Sequence, residues 1–176
     1  MAEMDIENCI LGRRSVRRYK DGRVPDEVIT RGIEMADAAP SAGNLQEREY
    51  IIVRDPGIKK ALSSAALNQQ QPADADVVVV FCADLDKMGN YGKRGTELYT
   101  PQDIAAAIEN FLLYVHSQGY GAVWIGAFTE SEVSAILDLP RYIKPFAIVP
   151  VGIPGEVPKP PQKKPLSDKI HSEKWD

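Results

Sequence analysis

The chain has 176 residues, a length that fits one domain able to bury a real core without disulfide staples. Acidic residues outnumber basic ones, 25 to 21, for a net charge of −4, which argues against a protein that tracks nucleic acid along its surface. The strongly apolar runs, such as "VVVVFCA" at 77–83, are strand length, far short of the roughly 20 residues a membrane helix needs. The acidic start "MAEMDIENC" lacks a signal-peptide layout, so a soluble, cytoplasmic protein without membrane contact is expected.

Ile6, Cys9 and Ile10 fall at helical spacing. "LGRRSVRRYKDG" follows at 11–22, with five basic residues in eight positions. Such a run is a solvated face, an arm for nucleic acid, or a clamp for one compact phosphate. "VPDEVITRGIEMADAAP" starts a helix with Pro25, Asp26 and Glu27, buries Ile29, Ile33 and Ala36, and must stop near Pro40. "EYIIVR" reads as a strand, "GIKKALSSAAL" as a short helix, and "DVVVVFCAD" as a strand covered on both faces. "QDIAAAIENFLLYVHSQG" carries a stripe of Ile104, Ile108, Phe111, Leu112 and Val115, and Gly119 or Gly121 ends it. "AVWIGAF" is a further strand. Thr129 and Glu132 make a capping box for the next helix, and "PFAIVPVGI" supplies the last strand. The expected fold is α/β, an α+β sandwich with helices flanking a mixed central sheet.

The end of the chain breaks this alternation. Five prolines lie between residues 154 and 165, a density that enforces an extended path. Ile170 and Trp175 add apolar surface beyond them. We therefore divide the chain into a domain, 1–153, and an arm, 154–176, lying across a second copy rather than hanging free.

Side chains offer little chemistry of their own. There is no GxSxG elbow, HExxH pair, P-loop or complete GxGxxG. Cys9 and Cys82 stand apart without metal-ligand spacing, and His116 and His171 lack catalytic neighbours in sequence, so no metal is expected. An enzyme built this way leans on a cofactor.

"RRSVRRY", "APSAGNLQ" at 39–46, "NQQQPADADVVVVF" at 68–81, "QDIAAAIENFLLYVHSQGYGAVWIGAF" at 102–128 and the closing "HSEKW" together resemble the FMN-dependent nitroreductase family. The pieces occur in order over nearly the whole chain. The resemblance implies that Arg13, Arg14, Ser15 and Arg17 hold the FMN phosphate and its ribityl and pyrimidine edge. Guanidinium groups suit that task, since their planar paired donors match a phosphate dianion. Arg18, Lys20 and Arg23 fit the solvated face better. Lys174 stands where relatives often have an arginine at the phosphate.

By the same resemblance Pro40, Ser41, Ala42, Asn44 and Gln46 come from the other subunit and line the flavin of a homodimer. Asn68 and Gln71 match contacts to the pyrimidine edge, where amides both donate and accept. Many relatives have lysine in place of Gln71, and its loss implies a lower flavin potential. Ile125, Gly126 and Ala127 match the segment whose backbone amides reach flavin N5 and O4; Trp124 reads equally well as a core residue. The implied activity is transfer of hydride from NADH or NADPH, a transient donor, to FMN and on to a small-molecule acceptor such as a nitroaromatic or quinone, in ping-pong order. A reductase of flavin or of another acceptor, and a flavin-binding protein without turnover, are the alternatives. Glu47 and Arg48 depart from the "QPWRF" of many relatives, and the stretch after "FCAD" is short, which implies a reduced lid over the flavin.

Overall fold

The computed structural model describes residues 5–175. Helix α1 spans Ile6–Gly12, capped by Asp5, whose carboxylate accepts the Asn8 N–H at 2.9 Å. Strand β1 is Tyr19–Lys20 and helix α2 Asp26–Asp37, with Asp26 and Glu27 in the first turn, where the helix dipole favours negative charge. Strand β2 (Arg48–Val53), helix α3 (Pro56–Ala65), the single turn α4 (Gln71–Asp74) and strand β3 (Val77–Asp84) follow. The connection from β3 is a 3-10 segment, Leu85–Tyr91, a short α5, Gly92–Arg94, and a π turn, Gly95–Tyr99. Helix α6 is Thr100–Ser117, β4 Gly121–Ala122, α7 Glu130–Ile136 and β5 Ile143–Pro154.

The sheet order is β1-β5-β3-β2, with β4 also on β5. Every ladder is antiparallel, so the expected mixed character is confined to one isolated parallel bridge, Ser15 with Ala122. Period-two geometry sends alternate β3 residues to opposite faces. Val77, Val79, Phe81 and Ala83 meet Ile29 and Ala36 of α2 and Ile104, Ile108, Phe111 and Val115 of α6. Val78, Val80 and Cys82 meet Leu62 and Ala65 of α3 and Val133 of α7. β3 is thus an apolar run because both faces are covered. The rings of Phe81 and Phe111 pack edge-on at 5.4 Å, and a Cβ on Gly32 of α2 would lie 2.8 Å from the Phe111 ring, so α2 and α6 touch closely because residue 32 is glycine.

Four expectations need correction. The "AVWIGAF" stretch pairs only at Gly121–Ala122; it then leaves the ladder and returns for one bridge, Ile125 with Ile148. Trp124 turns its side chain outward and is 40% exposed, so it is no core residue. Thr129 is the N-cap of α7, but its hydroxyl makes no cap bond; the Glu132 N–H goes to the Thr129 carbonyl at 3.1 Å, so the side-chain capping box does not form. Ile33, at the margin of the apolar stripe of α2, is half-buried.

Among the described residues beyond Pro154 the arm joins no ladder and holds only a 3-10 turn, Leu166–Lys169. Trp175 is 87% exposed and stacks on His171 at 4.2 Å. Among the described residues no helix is long and apolar enough to cross a membrane.

Candidate functional site

Helix α1 ends where Arg13 turns to extended angles, and the basic run is laid out as a strand-like segment. The Val16 N–H donates to the Ala122 carbonyl at 3.0 Å and the Arg17 N–H to Glu156 Oε1 at 2.8 Å. Val16 points inward, so Ser15 and Arg17, its neighbours at period two, point out. Arg14 donates to the carbonyls of Leu11 and Arg13, both at 2.7 Å. Arg13 pairs with Glu109 of α6 at 3.2 Å. Arg14 and Arg17 have no carboxylate partner on their guanidinium groups among the described residues.

Arg13, Arg14, Ser15 and Arg17 line one groove of about 570 Å³, together with Lys159 and Lys163 from the arm. Uncompensated guanidinium groups concentrated in one concave surface suit a compact anion. His116 lies against Gly12: its Nε2 is buried without a partner among the described residues, and burial, then the charges of Arg13 and Arg14, hold its imidazole below the usual histidine value. The neutral ring adds no positive charge of its own.

The chain path leads from the groove to a second group of expected residues. Ser15 bridges Ala122, three residues before Ile125, about 10 Å along an extended backbone. The N–H groups of Gly126 and Ala127 make no backbone hydrogen bond among the described residues. Gln69 ties this segment to the loop after α3, donating to the Ala127 carbonyl at 3.1 Å and the Ala66 carbonyl at 2.9 Å. That loop turns through left-handed backbone at Leu67 and Asn68 (φ 58° and 61°) and runs into α4, which opens at Gln71. Gln71 Oε1 is buried with no partner among the described residues, an acceptor that a ligand N–H would satisfy.

Pro40, Ser41, Ala42, Asn44 and Gln46 lie elsewhere. Arg48 donates to the Ala36 carbonyl at 3.3 Å and the Ala39 carbonyl at 2.7 Å, closing the C-terminal end of α2 just before Pro40. Ser41 Oγ accepts the Gln46 N–H at 3.1 Å, and Asp103 Oδ2 accepts the Ala42 N–H at 2.8 Å. Gly43, Asn44 and Gln46 adopt φ of 57°, 56° and 51°. A Cβ on Gly43 would lie 2.5 Å from Tyr91 Oη, so the tight turn and the close approach both require glycine. None of these loop residues lines the basic groove.

Helix α6 measures the separation. The loop bonds Asp103, whereas Arg13 bonds Glu109 and Gly12 lies against His116. Glu109 and His116 follow Asp103 by about 9 and 20 Å along the axis and about 120° and 140° around it, at 1.5 Å and 100° per residue. Loop and groove therefore face different sides of one helix. Lys174 is exposed and does not line the groove in the protomer.

Sequence reasoning missed Lys159 and Lys163, hidden in a proline-rich stretch, and Gln69, His116, Glu47 and Asp103. Only the fold shows that Asp103 in the first turn of α6 reaches back to Ala42.

Fold and site together define an α+β protein with a basic groove beside an antiparallel sheet and, among the described residues, backbone amides at Gly126 and Ala127 that bond no other backbone group. The chain belongs to the nitroreductase family, whose family model matches residues 10–84 and 59–153. It is an oxidoreductase by that membership. A Methanothermobacter thermautotrophicus protein provisionally named an NADH dehydrogenase/NAD(P)H nitroreductase is 32% identical, covering 99% of this chain and 90% of the relative. The Bacillus subtilis FMN reductase [NAD(P)H] is 29% identical over 86% of this chain and 67% of its own. The NADPH:FMN oxidoreductase of Vibrio harveyi, solved with NAD+, superposes with a TM-score of 0.89 at 25% identity, covering 97% of this chain and 77% of that one.

Proposed function

We propose that the protein binds FMN between two copies of the chain and uses NADH or NADPH to reduce a small-molecule acceptor such as a nitroaromatic or quinone. The observation that carries the reading is the groove in which Arg14 and Arg17 present charge without a carboxylate. Each charge-assisted bond from such a group to a phosphate contributes about 1.5 to 3 kcal/mol. A terminal phosphate fits this donor set. The orphaned Gln71 Oε1 fits the imide N–H of an isoalloxazine, and the free N–H groups of Gly126 and Ala127 fit its N5 and O4 acceptors.

When bound, FMN takes two electrons from a reduced nicotinamide and gives them up to an acceptor in a separate visit. The chain's own residues position and enclose. Arg13, Arg14, Ser15 and Arg17 hold the anionic end, Asn68 and Gln71 hold the polar ring edge, and the Ile125–Ala127 segment supplies the backbone donors. Pro40, Ser41, Ala42, Asn44 and Gln46 would cover the ring from the partner, because in one protomer they face another side of α6 from the groove. The exposed arm, ending in Lys174 and Trp175, crosses to that partner. A cytoplasmic setting accords with Cys9 and Cys82, both buried and unpaired. Free flavin as acceptor is the second reading, favoured by the short connection of residues 85–99, which leaves little chain to form a lid.

Purified protein, reconstituted if necessary, should release FMN on denaturation. NADH or NADPH should bleach the bound flavin anaerobically, and a quinone or nitroaromatic should restore its colour. Release of FAD, or no flavin binding at all, refutes the reading; FMN that no nicotinamide bleaches leaves a flavin-binding protein without turnover.

A further inference from the structure

Glu47 has no exposed surface, and among the described residues neither of its carboxyl oxygens receives a hydrogen bond from another residue. It faces the carboxyl of Asp103, the group whose Oδ2 accepts the Ala42 N–H at 2.8 Å. Two carboxylates in contact, one of them fully buried, cannot both stay ionised without a large penalty from repulsion and lost hydration. One proton between them converts the repulsion into an O–H···O⁻ hydrogen bond.

We propose that Glu47 is a positioning residue: it shares one proton with Asp103 and through Asp103 holds the 40–46 loop in the shape that covers the partner's flavin. The last clause rests on the function proposed above; the hold on the loop does not. The ionisable groups around Glu47 agree with this arrangement. Asp103 faces it from α6, and Arg48 is its neighbour in the chain, with its guanidinium committed to the carbonyls of Ala36 and Ala39. Asp84 of β3 gives its N–H to the Glu47 carbonyl at 2.7 Å. No lysine or arginine forms an ion pair with Glu47 or Asp103 among the described residues.

Burial pushes the Glu47 carboxyl up and Asp103 pushes it further, while its own backbone N–H and Arg48 pull it down. The shared proton is therefore retained above the ordinary glutamate range and lost to solvent as pH rises further. Loss leaves two anions in contact, and Asp103 is then driven from the position that receives Ala42.

The test uses flavin-free full-length protein. The Glu47 side-chain carboxyl carbon is titrated by 13C NMR, and hydrogen exchange of the Ala42 amide, corrected for intrinsic base catalysis, is followed over the same pH range. We expect the carbon to titrate above the ordinary glutamate range and Ala42 protection to fall at least tenfold across that step. Glu47→Gln donates a permanent N–H to Asp103, so it should keep Ala42 protected at every pH, whereas Glu47→Ala should leave it poorly protected throughout. Asp103→Asn serves if Glu47→Gln fails to fold, since its amide donates to Glu47 while its oxygen accepts from Ala42. Protection that ignores pH in the wild type, or a Glu47→Gln protein that exchanges as fast as Glu47→Ala, overturns the proposal. FMN affinity measured over the same range should follow Ala42 protection. Affinity that ignores the transition while protection obeys it overturns the loop's assignment to flavin and supports the carboxyl pair's hold on the loop.

Discussion

Arg48→Met should destabilise the protein by about 2 to 4 kcal/mol, an amount set by the two carbonyls the guanidinium serves. Arg48 is buried and donates to the Ala39 carbonyl at 2.7 Å and the Ala36 carbonyl at 3.3 Å. The shorter bond is charge-assisted and worth about 1.5 to 3 kcal/mol, and the longer contributes about 0.5 to 1 kcal/mol. Methionine keeps much of the apolar stem, so the packing loss is small; the Ala36 carbonyl keeps the Ala39 N–H at 3.1 Å, while the Ala39 carbonyl loses its charged donor. For a chain of this length the loss corresponds to a fall in Tm of about 4 to 16 °C. Urea unfolding followed by far-UV circular dichroism reads the stability directly. A midpoint shifted by less than the equivalent of about 0.5 kcal/mol, with an unchanged slope, would refute the helix-closing role and return Arg48 to the ordinary run of tolerant substitutions.

Gly43→Ala places a Cβ 2.5 Å from Tyr91 Oη on left-handed backbone, so it should cost about 1 to 3 kcal/mol and weaken FMN binding; wild-type stability and affinity would contradict the tight turn. His116 is held below its ordinary value of 6.5 by burial and by Arg13 and Arg14, so its contribution to stability is complete above that pH and is lost as pH falls through the depressed folded value. Urea midpoints measured from pH 8 downward should therefore decline on the acid side, and His116→Gln should flatten that limb. A chain cut after Gly155 removes Lys159, Lys163 and the Trp175 anchor together, so FMN affinity and dimer stability should fall in the same preparation, with added FMN partly restoring the dimer. A truncated dimer holding FMN as tightly as the full chain would mean the arm is only a tail.

What could be read from sequence depended on the range of the interaction. The stripe of α6 and the continuous apolar run of β3 are local periodicities, and the structure buries them as expected. The basic run was equally visible, because its arginines are neighbours in the chain and in space. Pairing after Ala122 was not visible: a β-rich composition at 122–128 cannot say that the strand leaves its ladder, and that departure is what frees the amides of Gly126 and Ala127. Glu47 and Arg48 looked like departures from a family pattern, and only the fold reveals that one closes α2 and the other meets Asp103. The facing of loop and groove was likewise hidden, since it depends on the azimuth of Asp103 and His116 around α6 rather than on any motif.

The most direct test of the two-protomer site is subunit complementation. Arg14→Ala disables the groove, and a chain with Ser41, Ala42 and Asn44 replaced by bulkier residues disables the covering loop; each alone should bind FMN poorly. Mixed after reversible dissociation, they form heterodimers in which one site carries both defects and the other carries none. Each heterodimer should hold one tightly bound FMN and recover NAD(P)H-dependent reduction. Mixtures that bind no more FMN than the separate variants, while heterodimers demonstrably form, would contradict it.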